Sequence, residues 1–151
     1  MTPPLPSPPV IRAGMVGVGM IFDETYWPFF VQAHEQGQYR RDIGPYEVRL
    51  AALGSRTGTR ASRVMVQAVE RGMPAPINIY GDEAISHLLQ TGIDAVCIAT
   101  PDDRHFEAAR LALEAGKHVL IEKPSVLSLA QLDQLERLAE DRGVLARVVY
   151  H

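Results

Sequence analysis

The sequence predicts a three-layer α/β fold built on a doubly wound parallel sheet. Three observations lead there. From residue 11 onward, short apolar runs alternate with stretches of helical periodicity. Several of those runs are apolar without alternation, as strands are when both faces of a parallel sheet are covered. The residues with chemistry to offer (Gly17 and Gly19, Ser55 and Arg56, Thr100 and Pro101, Glu122 and Lys123) each follow directly on such a run. That is the carboxyl edge, where open α/β sheets bind their ligands.

The 151 residues suit a single domain, with 46% hydrophobic and 22% charged residues as in ordinary globular chains. A net charge of −3 gives no reason to expect a nucleic acid or an anionic membrane as partner. No apolar run reaches the length of a membrane span, and the N-terminus lacks the charged-then-apolar order of a signal peptide. The single cysteine, Cys97, lies in an apolar run and reads as a core residue. It permits no internal disulfide and no cysteine cluster for a metal, so a reducing cytoplasm fits. Five of the eleven prolines fall within residues 1–10, which predicts an extended, disordered leader ahead of a domain over 11–151.

The first strand, Ile11–Val16, runs into Gly17-Val18-Gly19-Met20-Ile21-Phe22. Two glycines one residue apart after a strand are the front half of the dinucleotide fingerprint of a Rossmann fold. The first permits a tight turn, and the second lets backbone N–H groups approach a pyrophosphate. Gly17, Gly19, Met20 and Ile21 are therefore candidate cofactor-binding residues. Phe22 departs from the small residue usual at the third position and brings the close helix–strand packing into question. Pro28 suits a first helical turn, so the helix is expected to begin near Tyr26 or Trp27 after a longer loop, with Phe29, Phe30 and Ala33 inward. Gly37–Tyr46 reads as a polar, basic connection.

The second strand, Val48 to Leu53, ends at Ser55 and Arg56, with Arg60 one helical turn further on. A carboxylate at this place takes the ribose hydroxyls of NAD, whereas an arginine pairs with the 2′-phosphate of NADP. Ser55, Arg56 and Arg60 thus argue for NADP, with NAD the alternative. The competing reading makes both arginines solvated surface charges. A helix over Thr59–Gly72 presents Ala61, Val64, Met65, Ala68 and Val69. A short strand, Ile77–Tyr80, follows, then a helix capped by Asp82 that buries Leu88 and leaves His87 exposed. The fourth strand, Ile93–Thr100, leads into Pro101, Asp102 and Asp103, a helix start. The paired aspartates have no further metal ligands at useful spacing. Thr100, Pro101 and His105 stand at the ligand edge, His105 with a structural role as the alternative. The helix ends at Gly116, and the fifth strand, Val119–Ile121, delivers Glu122-Lys123-Pro124. Ser128 and Gln131 form a capping box for a helix with Leu129, Leu132, Leu135, Leu138 and Ala139 inward. A sixth strand, Val144–Tyr150, closes the chain.

Gly17-Val18-Gly19, Ile93 through Pro101 with His105, and Ala115-Gly116-Lys117-His118-Val119 through Glu122-Lys123-Pro124 together resemble the Gfo/Idh/MocA family. The resemblance covers nearly the whole chain after the leader and departs at Phe22 and in the connection before the second strand. It implies a nicotinamide-dependent oxidoreductase acting on sugars, cyclitols or related polyols. It implies that Lys123 hydrogen-bonds the group undergoing redox and also touches the nicotinamide side, with Glu122 orienting it, and that the Lys123–Pro124 bond is cis. Members of that family carry a second, sheet-rich substrate domain, through which homo-oligomers can form. This chain is expected to lack that domain and to be inactive alone. Two readings stand beside this one: a non-catalytic nucleotide-binding or regulatory module that pairs with another chain, and an adenosylmethionine-dependent methyltransferase. Arg56 and the Glu-Lys-Pro triplet speak against the latter.

Overall fold

The computed structural model describes residues 7–150. The sheet is centred on β1 (Val10–Val16), which pairs in parallel with β3 (Gly44–Ser55) on one side and β5 (Ala95–Ile98) on the other. Beyond β5 lie β6 (His118–Ile121) and β7 (Ala146–Val148), both parallel. Beyond β3 lie β2 (Gln38–Arg40), antiparallel, and β4 (Ile77–Tyr80), parallel. The chain therefore fills one half of the sheet, crosses back over the centre, and fills the other, leaving a switch point between β1 and β5. The expected leader falls mostly on residues 1–6, outside the described residues. Pro9 already accepts a hydrogen bond from the Glu47 N–H at 2.9 Å.

Each face of the sheet has its own core, and the period-two alternation of the strands divides the residues between them. Ala13, Met15, Leu50, Leu53 and Cys97 face α1 (Trp27–Gln36) and α2 (Thr59–Glu70). Val16, Ala52, Val96, Ile98, Val119 and Ile121 face α3 (Ala84–Leu88), α4 (His105–Glu114) and α5 (Leu129–Arg142). A register shift between Ala13 and Gly14 leaves Ala51 as an extra residue in β3, so that Ala51 and Ala52 turn to the same face. Gly14 makes room there. A Cβ on it would come within 2.8 Å of the Leu88 side chain and 2.7 Å of Ile93. Leu88, fully buried, uses the gap in the sheet that glycine leaves.

The structure departs from the expected elements in four places. Gly37–Tyr46 is a hairpin, not a bare connection: β2 turns at 41–43 and returns as a twelve-residue β3. Its strands are exposed and its turn is held by Arg40 on Asp42, so charge and polarity hid the pairing. The first helix begins directly after Gly19, with Met20 and Ile21 already helical. It then widens into a π-helical turn at Phe22–Tyr26, where the Trp27 N–H reaches the Phe22 carbonyl. That wide turn carries the helix past Pro28, which can neither donate nor fit an ordinary helix interior. It also settles the bulky Phe22, which is fully buried against Trp27 with ring centres 6.3 Å apart. Asp82 does not cap α3, where the Ala84 N–H goes to the Gly81 carbonyl. The inward faces are narrower than predicted: Phe29, Val69 and Leu129 are exposed, while Phe30, Ala33, Ala61, Val64, Ala68 and Leu135 are buried. Ser128 caps α5 as expected, accepting from the Gln131 N–H, and Gln131 reaches back to the Leu127 N–H.

The α1 side holds a buried polar group of three. The Tyr26 hydroxyl donates to Glu122 Oε1 at 2.8 Å across 96 residues of sequence, with Cys97 beside them. Burial, and then the Glu122 charge, push the Cys97 thiol up to about 12. Burial first, then the bond to Glu122, pushes the Tyr26 phenol well above its usual range.

Two outcomes follow from this packing. Leu88→Ala should lower stability by about 2–5 kcal/mol, read as a lower urea midpoint at unchanged slope. Raised acid groups hold protons in the fold that the unfolded chain gives up. Stability should therefore be full below about pH 8.5 and fall as pH rises toward 12. Urea midpoints measured from pH 8 to 11 should show the decline, and Cys97→Ala should make it shallower; a flat profile would contradict the burial of these groups.

Candidate functional site

The loops after β1, β3, β4 and β5 converge on a crevice of about 720 Å³ at the carboxyl edge of the sheet. Its floor is the turn after β1. The Gly17 N–H bonds the Gly54 carbonyl at 3.0 Å, and the Ala99 N–H bonds the Val16 carbonyl at 2.9 Å, so the strand ends stay tied as the chain turns. Gly17 has a φ of +93°, and a Cβ there would lie 2.3 Å from the Ala99 carbonyl oxygen. Both the backbone conformation and the contact demand glycine. Gly19 is different: a Cβ on it would meet nothing within 4 Å. It would project into open space, as expected where a ligand's backbone-bound group is to sit.

One wall of the crevice is formed by Ser55, Arg56, Thr57 and Arg60. The Ser55 hydroxyl accepts from the Gly58 N–H at 3.0 Å and shapes the turn into α2. Arg56 is exposed, and among the described residues it has no acidic partner within 4 Å. Arg60 pairs with Asp23 of the π-helical turn, both side chains about half exposed. The opposite wall is the loop after β5, with Ala99, Thr100, Pro101, Asp103 and Arg104. Thr100 Oγ1 is buried and has no hydrogen-bond partner among the described residues. Glu107, also on this wall, is held by Arg110 at 2.6 Å, which draws its carboxyl below the usual range.

The predicted site residues thus fall into four groups. Gly17, Gly19, Ser55, Arg56, Arg60, Thr100 and Pro101 line one crevice. Met20, exposed, and Ile21, half-buried against the α1-side core, begin the helix at its edge. Lys123 does not line that crevice. It stands exposed in a neighbouring groove of about 660 Å³ with Pro124, Ser128, Leu132 and Val148. The Lys123–Pro124 peptide bond is cis.

Glu122 and His105 are both buried, and neither lines the crevice or the groove. Glu122 takes its hydrogen bond from Tyr26. His105 Nε2 lies 2.8 Å from the Thr100 carbonyl and Nδ1 lies 2.7 Å from the Pro124 carbonyl. Both acceptors are backbone, so the ring ties the loop after β5 to the loop after β6 instead of facing a ligand. Glu122 and Pro124, the neighbours of Lys123 in sequence, are consequently gripped from opposite layers of the fold. Sequence reasoning missed Asp23 and the contact of Tyr26 with Glu122. The only signal was the placement of Asp23 four residues after Gly19 and of Tyr26 just before Pro28, where a straight reading of the helix gave a loop.

The crevice fits a dinucleotide. A glycine cradle, a helix start behind it, and an arginine and a buried hydroxyl without partners among the described residues are the groups such a ligand requires. Among the described residues no helix is long and apolar enough to cross a membrane. Comparison with known proteins agrees with the geometry. The chain is 40% identical over 140 residues to YfiI, an uncharacterized oxidoreductase of Bacillus subtilis, covering 93% of this chain and 34% of that one. It is 28% identical over 138 residues to the UDP-N-acetylglucosamine 3-dehydrogenase of Acidithiobacillus ferrooxidans, covering 91% of this chain and 36% of the other. It is similar in structure to KijD10, a 3-ketoreductase of Actinomadura kijaniata solved with TDP-benzene and NADP, at a TM-score of 0.71 and 29% identity, covering 94% of this chain and 38% of that chain. The chain spans about a third of the length of these relatives. Residues 11–150 match the model of the oxidoreductase family with an NAD-binding Rossmann fold, GFO_IDH_MocA, and the chain belongs to that family.

Proposed function

We propose that this chain is the cofactor-binding part of an oxidoreductase that moves hydride to or from a sugar, cyclitol or related polyol, with NADP preferred to NAD. The observation that carries the cofactor preference is the end of β3. The residues that end and follow β3, 55–58, include no carboxylate to take ribose hydroxyls, the Ser55 hydroxyl is engaged by the Gly58 N–H, and Arg56 faces the crevice without an acidic partner among the described residues. A guanidinium in that place pairs with a 2′-phosphate. The KijD10 structure, solved with NADP, supports the reading, and the dehydrogenase of A. ferrooxidans supports a sugar-like substrate.

Bound nicotinamide nucleotide supplies or accepts the hydride. The chain's own residues bind and orient it. The turn at Gly17–Gly19 admits the pyrophosphate to the start of the first helix, Arg56 takes the 2′-phosphate, and Thr100 Oγ1 gains the partner it lacks. Lys123 is the catalytic residue of the proposal. Its ammonium donates to the hydroxyl or carbonyl oxygen that changes oxidation state and stabilises negative charge developing there. Its backbone is held on one side through Glu122 by Tyr26 and on the other through Pro124 by His105. The substrate's walls and a second acid–base group are assigned to sequence beyond these residues, as is any homo-oligomer interface.

Fluorescence titration of the chain should show tighter binding of NADPH than of NADH. Arg56→Ala should weaken NADPH about ten- to a hundredfold, the size of a charged hydrogen bond, and leave NADH nearly unchanged. Equal affinities in the parent chain would defeat the assignment of the 2′-phosphate to Arg56. In an enzyme that carries this domain at full length, Lys123→Ala should lower kcat by about 10²–10³ while cofactor affinity holds. Turnover that survives the change would remove Lys123 from the chemistry.

A further inference from the structure

The crevice wall carries two arginines in different electrostatic states. Arg56 is without an acidic partner among the described residues, whereas Arg60, in the first turn of α2, is paired with Asp23. Asp23 belongs to another element altogether, the π-helical turn 37 residues earlier, and its N–H bonds the Gly19 carbonyl at 3.2 Å. The carboxylate is thus fixed to the same turn that forms the glycine cradle. Arg60 lines the crevice, while Asp23 does not. The acid therefore holds the arginine without itself lining the crevice.

We propose that Asp23 is a specificity-setting residue that acts through Arg60: it competes with the cofactor's 2′-phosphate for the Arg60 guanidinium. This rests on the cofactor reading above and deepens it. Both partners are half exposed, and such pairs are weak enough to exchange. A phosphate dianion offers Arg60 more charge and more acceptor oxygens than one carboxylate does. NAD, with hydroxyls at that position, offers nothing that displaces Asp23, so Arg60 stays paired and contributes nothing to its binding. Asp23 thereby sets a ceiling on the preference for NADP that Arg56 alone establishes.

The test uses the chain as it stands, with NADPH and NADH as probes, and thermal melts to check that each variant folds. Asp23→Asn keeps the size and removes the charge. It should tighten NADPH about two- to fivefold, the coupling of an exposed ion pair, and change NADH by a smaller factor. In an Arg60→Ala background the same substitution should produce no gain, a result that a merely structural role for Asp23 does not predict. An unchanged ratio of NADPH to NADH affinity in Asp23→Asn would overturn the inference while leaving the role of Arg56 intact. A gain that persists without Arg60 would also overturn it, placing the effect of Asp23 directly on the cofactor phosphates. Failure of the parent chain to bind either nucleotide would overturn the cofactor reading and this inference together.

Discussion

The arrangement depends on one contact between backbones. The turn after β1 lies so close to the end of β5 that Gly17 has no room for even a methyl group beside the Ala99 carbonyl. That approach brings the first and the fourth parallel strands to a common end and leaves the crevice open above them. The other parts of the site are referred to it. Thr100 follows Ala99 immediately, the helix that starts after Gly19 is aimed by the turn, and Gly17 is tied to Gly54 just before Ser55 and Arg56. A side chain at position 17 would push apart the two halves of the sheet at the switch point. It would also require a left-handed backbone that other residues resist.

A second level of organisation joins the crevice to the groove at Lys123. The link runs through buried polar side chains, not through the surface. Tyr26 comes from the layer of α1 and α2, and His105 from the layer of α3, α4 and α5. They grip residues on either side of Lys123, one by a carboxylate and one by a carbonyl. His105 also holds the Thr100 carbonyl, which makes the two ligand-edge loops a single mechanical unit. The π-helical turn has a part in this. It carries Asp23 toward Arg60 and Tyr26 toward Glu122, two contacts in opposite directions from one five-residue segment.

Much of the fold was legible because parallel strands buried on both faces leave unbroken apolar runs, as at Ala95–Ile98 and at 119–121. Gly17-Val18-Gly19 was legible from the apolar run that leads into it and the ligand-edge blocks elsewhere in the chain, since glycines after a strand by themselves mark a plain turn as readily. The hairpin of β2 was hidden because a polar, exposed pairing lacks hydrophobic alternation. The helix start was misplaced because Pro28 was taken as a beginning, and a π-helical turn has no periodic signature of its own. At the site, the residues that line the crevice were visible from their position after strands. The contacts that act on them were not. Asp23 with Arg60, Tyr26 with Glu122 and His105 with Pro124 are separated by 37, 96 and 19 residues. Only the crossing of the chain over its own sheet brings them together. That Lys123 occupies its own groove was equally beyond a reading that counted strand ends as one rim.

The outer side of β3 is shared between two short neighbours. β2 pairs with Gly44–Tyr46 and β4 with Ala52–Ser55, so the stretch Glu47–Ala51 has β1 on one side and neither of them on the other. A bare length of strand invites a foreign strand to add itself. Here the stretch carries Glu47 and Arg49 bound to one another at 2.6 Å, a charged pair that an incoming apolar segment would have to strip of water. The gap is also only five residues long and is bounded at both ends by strands of the chain's own. The molecule thus guards against runaway polymerisation with a short window and a pair of opposite charges, without an additional strand to close the sheet.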